Sequence, residues 1–198
     1  MRRAVDCAII DGHNTSSHIP KFVAMEPTSQ SLSVKLRRLT GERSEVQAVQ
    51  EVIEAAPDYM YRITGLPPGN ADGQSTFIAL PENKSYEDKF VYGIYWEKQM
   101  VGCIDVIRAY PKDESAWLGL LLIAEPYQRR GIGTIAYELI ENQIRAWPGI
   151  QSIGLSVVRT NEQVLPFWKK MGFVETGVVK PYQYAQLTSE VIVLEKRL

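Results

Sequence analysis

The chain has 198 residues, 45 % of them apolar, and a formal net charge of −1, which suits one domain or one domain with an appendage. So balanced a charge excludes broad electrostatic capture of nucleic acid or of a membrane surface, and no apolar run is long enough to span a bilayer. The two cysteines, Cys7 and Cys103, stand far apart in unlike contexts, which speaks against a disulfide framework and for a cytoplasmic setting.

Residues 1–31 lack periodicity and read as a loosely ordered extension, with residues 32–198 forming the domain. The apolar run after Met1 is short and broken by Asp6 and Asp11, unlike a signal peptide. Translation from Met25 is an alternative start. Both histidines, His13 and His18, fall in the extension. Within the domain this sets aside a Ser-His-Asp triad, a Cys-His pair and a histidine-held metal, so no metal is expected.

In chain order, Leu32, Val34 and Leu36 alternate with polar residues as a first strand. Thr40 can cap a helix over residues 42–55, which Pro57 ends. Residues 58–64 form a second short helix. The Pro-Gly-rich residues 65–74 read as a loop, and a short helix is expected at residues 85–89. Aromatic and β-branched residues 90–96 make a strand, residues 97–99 a turn and residues 100–108 the return strand. A further turn at 111–115 leads into the apolar strand 117–123. After a basic glycine loop, Ala136, Leu139, Ile140, Ile144 and Trp147 recur at helical spacing up to Pro148-Gly149. A buried strand at 153–158, a helix from Asn161 to Lys170, a strand at 173–179, a loop at 181–187 and a last strand at 190–196 complete the domain. One βαβ crossover surrounds the glycine loop. The order predicts a mixed, mostly antiparallel central sheet of about seven strands flanked by helices, an α/β (α+β) fold.

The stretch Gln128-Arg129-Arg130-Gly131-Ile132-Gly133-Thr134 joins strand to helix. Glycines at a helix N-terminus let an anion approach free backbone N–H groups, and the neighbouring arginines add charge and donors. A phosphate or pyrophosphate site follows. A P-loop would need Lys-Ser or Lys-Thr after the last glycine, and none is there. The G-x-G-x-x-A match of residues 131–136 suggests a dinucleotide fold. That fold puts its first glycine directly at the strand end, whereas residues 124–130 intervene here. A glycine turn without a ligand is the bland alternative.

Residues 128–133 resemble the Q/R-x-x-G-x-G/A signature of the GCN5-related N-acetyltransferase superfamily. Asn161, followed by Phe167-Trp168-Lys169-Lys170-Met171-Gly172-Phe173, resembles its second conserved region. The resemblance covers residues 32–198 and implies an N-acetyltransferase moving the acetyl group of acetyl-CoA, or another acyl-CoA, to a primary amine. By it, the pyrophosphate lies on the backbone N–H groups of Arg129, Arg130, Gly131, Ile132, Gly133 and Thr134, and Gln128 and Trp168 also count as cofactor-binding residues. The pantetheine pairs with Leu121, Leu122 and Ile123, and the Leu121 N–H faces the thioester oxygen. Asn161 bonds the pantetheine or simply caps its helix.

Two departures stand out. Many members carry a tyrosine as general acid where this chain has Trp168, and an indole is only a donor. Others carry a glutamate base on the strand before the loop, where residues 117–123 have no acid. Trp168 is expected to line the thioester end of the groove without transferring a proton. Asp105, Tyr182 and Tyr184 are the catalytic candidates. Cys103 reads as an inert apolar residue. The acceptor is expected between Asp58, Tyr59, Met60, Tyr61 and Arg62 on one side and Tyr182, Gln183 and Tyr184 on the other. A small-molecule amine is the first expectation, a protein N-terminus or lysine the second, and a non-catalytic acyl-CoA-binding regulator the third. Neither nucleic acid nor membrane is an expected partner, and the chain is expected to be a monomer or homodimer.

Overall fold

The computed structural model describes residues 33–198, so the expectations for the N-terminal extension, Cys7, His13 and His18 lie outside the described residues. Seven strands form one sheet in the order β1-β2-β3-β4-β5-β7-β6. They are β1 Val34–Leu39, β2 Lys89–Trp96, β3 Gln99–Arg108, β4 Ser115–Ile123, β5 Ser152–Val158, β6 Val174–Tyr184 and β7 Leu187–Arg197. The helices are α1 Arg43–Glu54, α2 Pro57–Thr64, α3 Asp72–Ile78, α4 Ile132–Arg145 and α5 Leu165–Lys170. Every strand pair is antiparallel except β4 with β5. Among the described residues no helix is long and apolar enough to cross a membrane.

The β4 strand is buried along nearly its whole length, as a strand covered on both faces should be. Leu122 lines a cavity beneath α1 to α3, whereas Ile123 lies under Gly133 of α4. Successive side chains point to opposite faces, so the two helical layers sit on opposite sides of the sheet. Ile132, Ala136, Tyr137, Ile140 and Ile144 make the buried stripe of α4.

Several elements differ from the sequence reading. Thr40 does not cap α1. The Glu45 carboxylate reaches back instead and accepts from the Thr40 N–H at 2.7 Å, the Thr40 hydroxyl at 3.1 Å and the Gly41 N–H at 3.1 Å. The first turn of the helix is thereby tied to the two residues before its N-cap, Glu42. The 65–74 loop ends early, because α3 starts at Asp72. Gln50 of α1 holds it there, donating to Gly69 O at 2.9 Å and accepting from the Gly73 N–H at 2.7 Å. A Cβ on Gly73 would come within 2.7 Å of Val46 O, so only glycine allows the two helices this approach.

The expected 181–187 loop is strand. The β6 strand continues through Pro181 to Tyr184 and β7 starts at Leu187. Pro181 is tolerated because β6 is an edge strand and needs no donor on its outer side. Finally, residues 159–164 are a 3-10 turn kinked at Asn161 before α5, not one helix.

Candidate active site

Two openings meet on β4. The first is a parting of strands. The parallel pairing of β4 with β5 covers only Ser115, Trp117 and the residue between, against Ser152 to Gly154. Beyond Trp117 the strands diverge, while β5 stays paired to β7 along its length. The β4 edge at residues 118–123 is therefore unmatched by β5. A bulge accompanies the divergence. Asp105 pairs with Leu120 and Val106 with Leu118, which leaves Gly119 as the extra residue.

At the far end of the parting lies the glycine loop. Gly131 is the N-cap of α4 with φ 78°, and Arg129 also lies in the left-handed region at φ 59°. Backbone that alternates in this way can turn successive N–H groups toward one side, as in the nests that bind anions. The helix ladder begins only with the Ile135 N–H, which reaches Gly131 O at 3.2 Å. The earlier N–H groups have no acceptor within the helix. A Cβ on Gly131 would meet nothing within 4 Å, so the loop faces open space.

The loop side chains divide the work differently from expectation. Gln128 donates from Nε2 to Ile123 O at 2.8 Å and so ties the loop to the end of β4. Arg130 packs over the rings of Trp96 at 5.3 Å and Tyr127 at 5.8 Å. Arg129 and Arg130 are both exposed.

On the other flank of the parting, Asn161 is fully buried. It caps no helix. Its Oδ1 accepts from Gln163 Nε2, and its Nδ2 has no partner among the described residues. A buried amide donor left open is costly unless something accepts from it. Trp168 is also fully buried. It packs edge-on against Phe167 at 5.1 Å, Phe173 at 5.2 Å and Tyr137 at 5.9 Å. Packing is thus the visible role of the indole.

The second opening is a cavity of about 980 Å³ beneath α1, α2 and α3. The α2 helix is strapped over it at both ends. Glu125 accepts from the Asp58 N–H at 2.9 Å and so caps the helix from outside. At the other end the Tyr182 hydroxyl donates to Ile63 O at 2.7 Å, and Thr160 donates to Arg62 O. Of the expected acceptor residues, Tyr59, Met60, Gln183 and Tyr184 line the cavity. Asp58, Tyr61, Arg62 and Tyr182 do not. Asp58 pairs with Arg62 on the surface at 3.5 Å, and Tyr61 is exposed.

Asp105 belongs to the same cavity. Its Oδ1 accepts from Lys89 Nζ at 2.8 Å, and its Oδ2 lies 3.0 Å from where a Cβ on Gly119 would stand. The bulged glycine therefore leaves the carboxylate room. Burial pushes the Asp105 carboxyl above its ordinary range, with the Lys89 ammonium pulling against that shift. Next to it, burial and then the charge of Asp105 push the Cys103 thiol up to about 12, so it stays protonated and inert. No pattern of residues signals the Lys89 pairing in advance. The alternation of β2 and β3 shows only which face each residue shares.

A strand edge that parts from β5 beyond Trp117 and leads to a helix N-terminus, beside a cavity lined by the Asp105 carboxylate, suits an acyl-group transferase. More particularly, the family model described as the acetyltransferase (GNAT) family matches residues 51–173, and the chain belongs to that family. Solved structures agree in fold. An acetyltransferase from Thermus thermophilus is 22 % identical, with 84 % of this chain and 98 % of that one covered at a TM-score of 0.63. The Salmonella typhimurium acetyl transferase that modifies the N-terminal serine of 50S ribosomal subunit protein L7/L12 is 14 % identical. Coverage there is 83 % and 95 %, and the TM-score is 0.67. A GNAT family acetyltransferase from Elizabethkingia anophelis, solved with acetyl-CoA bound, is 12 % identical over 83 % and 98 %, with a TM-score of 0.58. No curated protein sequence matches.

Proposed function

We propose that this protein transfers an acetyl group from acetyl-CoA to the primary amine of a small molecule, by direct attack in a ternary complex. The observation that carries the reading is that β4 serves both openings. Beyond Trp117 its edge parts from β5, and its Leu120 and Leu122 line the cavity. A donor along the edge and an acceptor in the cavity would meet across one strand, which is what proximity catalysis requires.

The residues present suit acetyl-CoA. The N–H groups of residues 129–134 offer a pyrophosphate seat at the start of α4. The backbone of Leu121, Leu122 and Ile123 offers strand-like pairing to the pantetheine amides. Asn161 Nδ2, buried without a partner, supplies a donor on the opposite flank. Trp168 supports the groove from behind. When bound, acetyl-CoA supplies an acetyl group on a thioester with a thiolate leaving group. Asp105 takes the proton that the acceptor ammonium must lose, freeing the lone pair for attack. Tyr184, also on the cavity, helps to orient the amine, whereas the Tyr182 hydroxyl is already committed to Ile63 O.

A melting experiment with two ligands, followed by a thiol-release assay, tests this. Acetyl-CoA should raise the melting temperature and NAD should not. Thiol release should then require an added primary amine. Stabilisation by acetyl-CoA with no amine-dependent release would instead mark a non-catalytic acyl-CoA binder. A protein N-terminus is the second acceptor class, favoured by the fold likeness to the Salmonella typhimurium enzyme.

A further inference from the structure

Resting on the acetyl-transfer reading, we infer that the acceptor is a monoamine with an aromatic or apolar body and no carboxylate or phosphate. The cavity, at about 980 Å³, is at the upper end of the range for small-molecule pockets, roughly 300–1,000 Å³. The rings of Tyr59, Tyr86, Tyr110, Trp117 and Tyr184 line it from widely separated parts of the chain. Such a lining favours an apolar body and attracts a cationic head.

The charges decide what else the acceptor carries. Among the described lining residues, the only charged side chains are Asp72 and Asp105. Lys89 neutralises Asp105 at 2.8 Å. Asp72, whose Oδ2 accepts from the Gly69 N–H at 2.6 Å, leaves one net negative charge. One ammonium matches that charge. A carboxylate or phosphate on the acceptor would find no lining cation and would be desolvated unpaired. A polyamine would bring ammonium groups beyond the charge available to balance them. Amino acids and polyamines are therefore poor acceptors, although each offers a primary amine.

The test compares kcat/KM for phenethylamine, tryptamine, phenylalanine, spermidine and a peptide with N-terminal serine, read by CoA thiol release. Melting with acetyl-CoA alone is the control for donor binding. The expected result is at least a tenfold preference for phenethylamine or tryptamine over the other three. Gln183→Arg, which adds a cation at the exposed rim of the cavity, should raise kcat/KM for phenylalanine relative to phenethylamine at least tenfold. If phenylalanine, spermidine or the peptide matches the arylalkylamines in the unaltered protein, the acceptor inference is overturned and acetyl transfer stands. If acetyl-CoA stabilises the protein but no amine is acetylated, the inference falls together with catalysis. If acetyl-CoA does not stabilise it, the donor site itself is wrong.

Discussion

The donor side of this site and its acceptor side are built on different plans. The proposed donor side is nearly one stretch of chain, the end of β4, the glycine loop and the start of α4, and what it offers is backbone N–H groups. The proposed acceptor cavity gathers Ile53 of α1, Tyr59 of α2, Ser75 of α3, Asp105 of β3, Leu120 of β4 and Tyr184 of β6, and what it offers is side chains. Backbone donors at a helix N-terminus tolerate much variation in sequence, provided the glycines keep their conformation. A cavity of side chains can change its ligand with each substitution. The contrast explains how one family fold can keep a single donor and serve many acceptors.

The largest expected effect comes from the acceptor side. Asp105→Asn should lower kcat by about a hundredfold or more, the usual range for a general base, while acetyl-CoA still raises the melting temperature. In the unaltered protein, kcat/KM should climb with pH as Asp105 loses its proton. Because burial raises that carboxyl, the rise should lie above the ordinary carboxylate range, and Asp105→Asn should abolish it. If the limb persists in the variant, another group takes the proton.

The next effect belongs to the donor side. Gly131 holds φ 78° in open space, a conformation that costs a β-branched residue on the order of 1–3 kcal/mol. Gly131→Val should weaken acetyl-CoA binding at least tenfold by calorimetry, with kcat at saturating donor little changed. A matching loss of kcat would blur the division between the two sides.

A smaller effect tests the strap that holds α2 over the cavity. Tyr182→Phe removes the hydroxyl that meets Ile63 O at 2.7 Å. It should lower stability by about 1 kcal/mol in urea unfolding and leave kcat within twofold. A large fall in kcat with unchanged stability would restore Tyr182 as a catalyst.

The smallest effect lies away from both openings. Burial alone would raise the Glu141 carboxyl. Hydrogen bonds from Lys196 at 2.6 Å and Arg145 at 2.6 Å outweigh it and hold the group below its ordinary value of 4.5. A depressed carboxylate stabilises the fold above its unfolded value, and that stability is lost as pH falls through the folded one. Acid titration of stability should therefore show a loss below about pH 4.5 that is smaller in Glu141→Gln.

The same contrast decides what could be read from the amino acids. Residues 128–134 announced an anion site because glycines, arginines and a helix start lie together in sequence. The succession of strands along the chain followed from alternation and turn residues for the same local reason. The C-terminal part of β6 did not, because Pro181 reads as a breaker unless the strand is known to be an edge. The start of α3 was hidden in a Pro-Gly run, since the Gln50 clamp that fixes it comes from another helix. Asp105 could be named as a candidate, but neither the Gly119 bulge above it nor Lys89 beside it is local. Gln128 fitted the motif, yet its side chain serves β4.

Amide hydrogen exchange with and without acetyl-CoA tests the central claim most directly, that the donor occupies the parting between β4 and β5. Acetyl-CoA should protect residues 118–123 and 129–134 together and leave the cavity-lining residues of α3 and the β6–β7 turn unchanged. Protection confined to α3 and that turn, with residues 129–134 exchanging as before, would place the donor in the cavity and contradict the account.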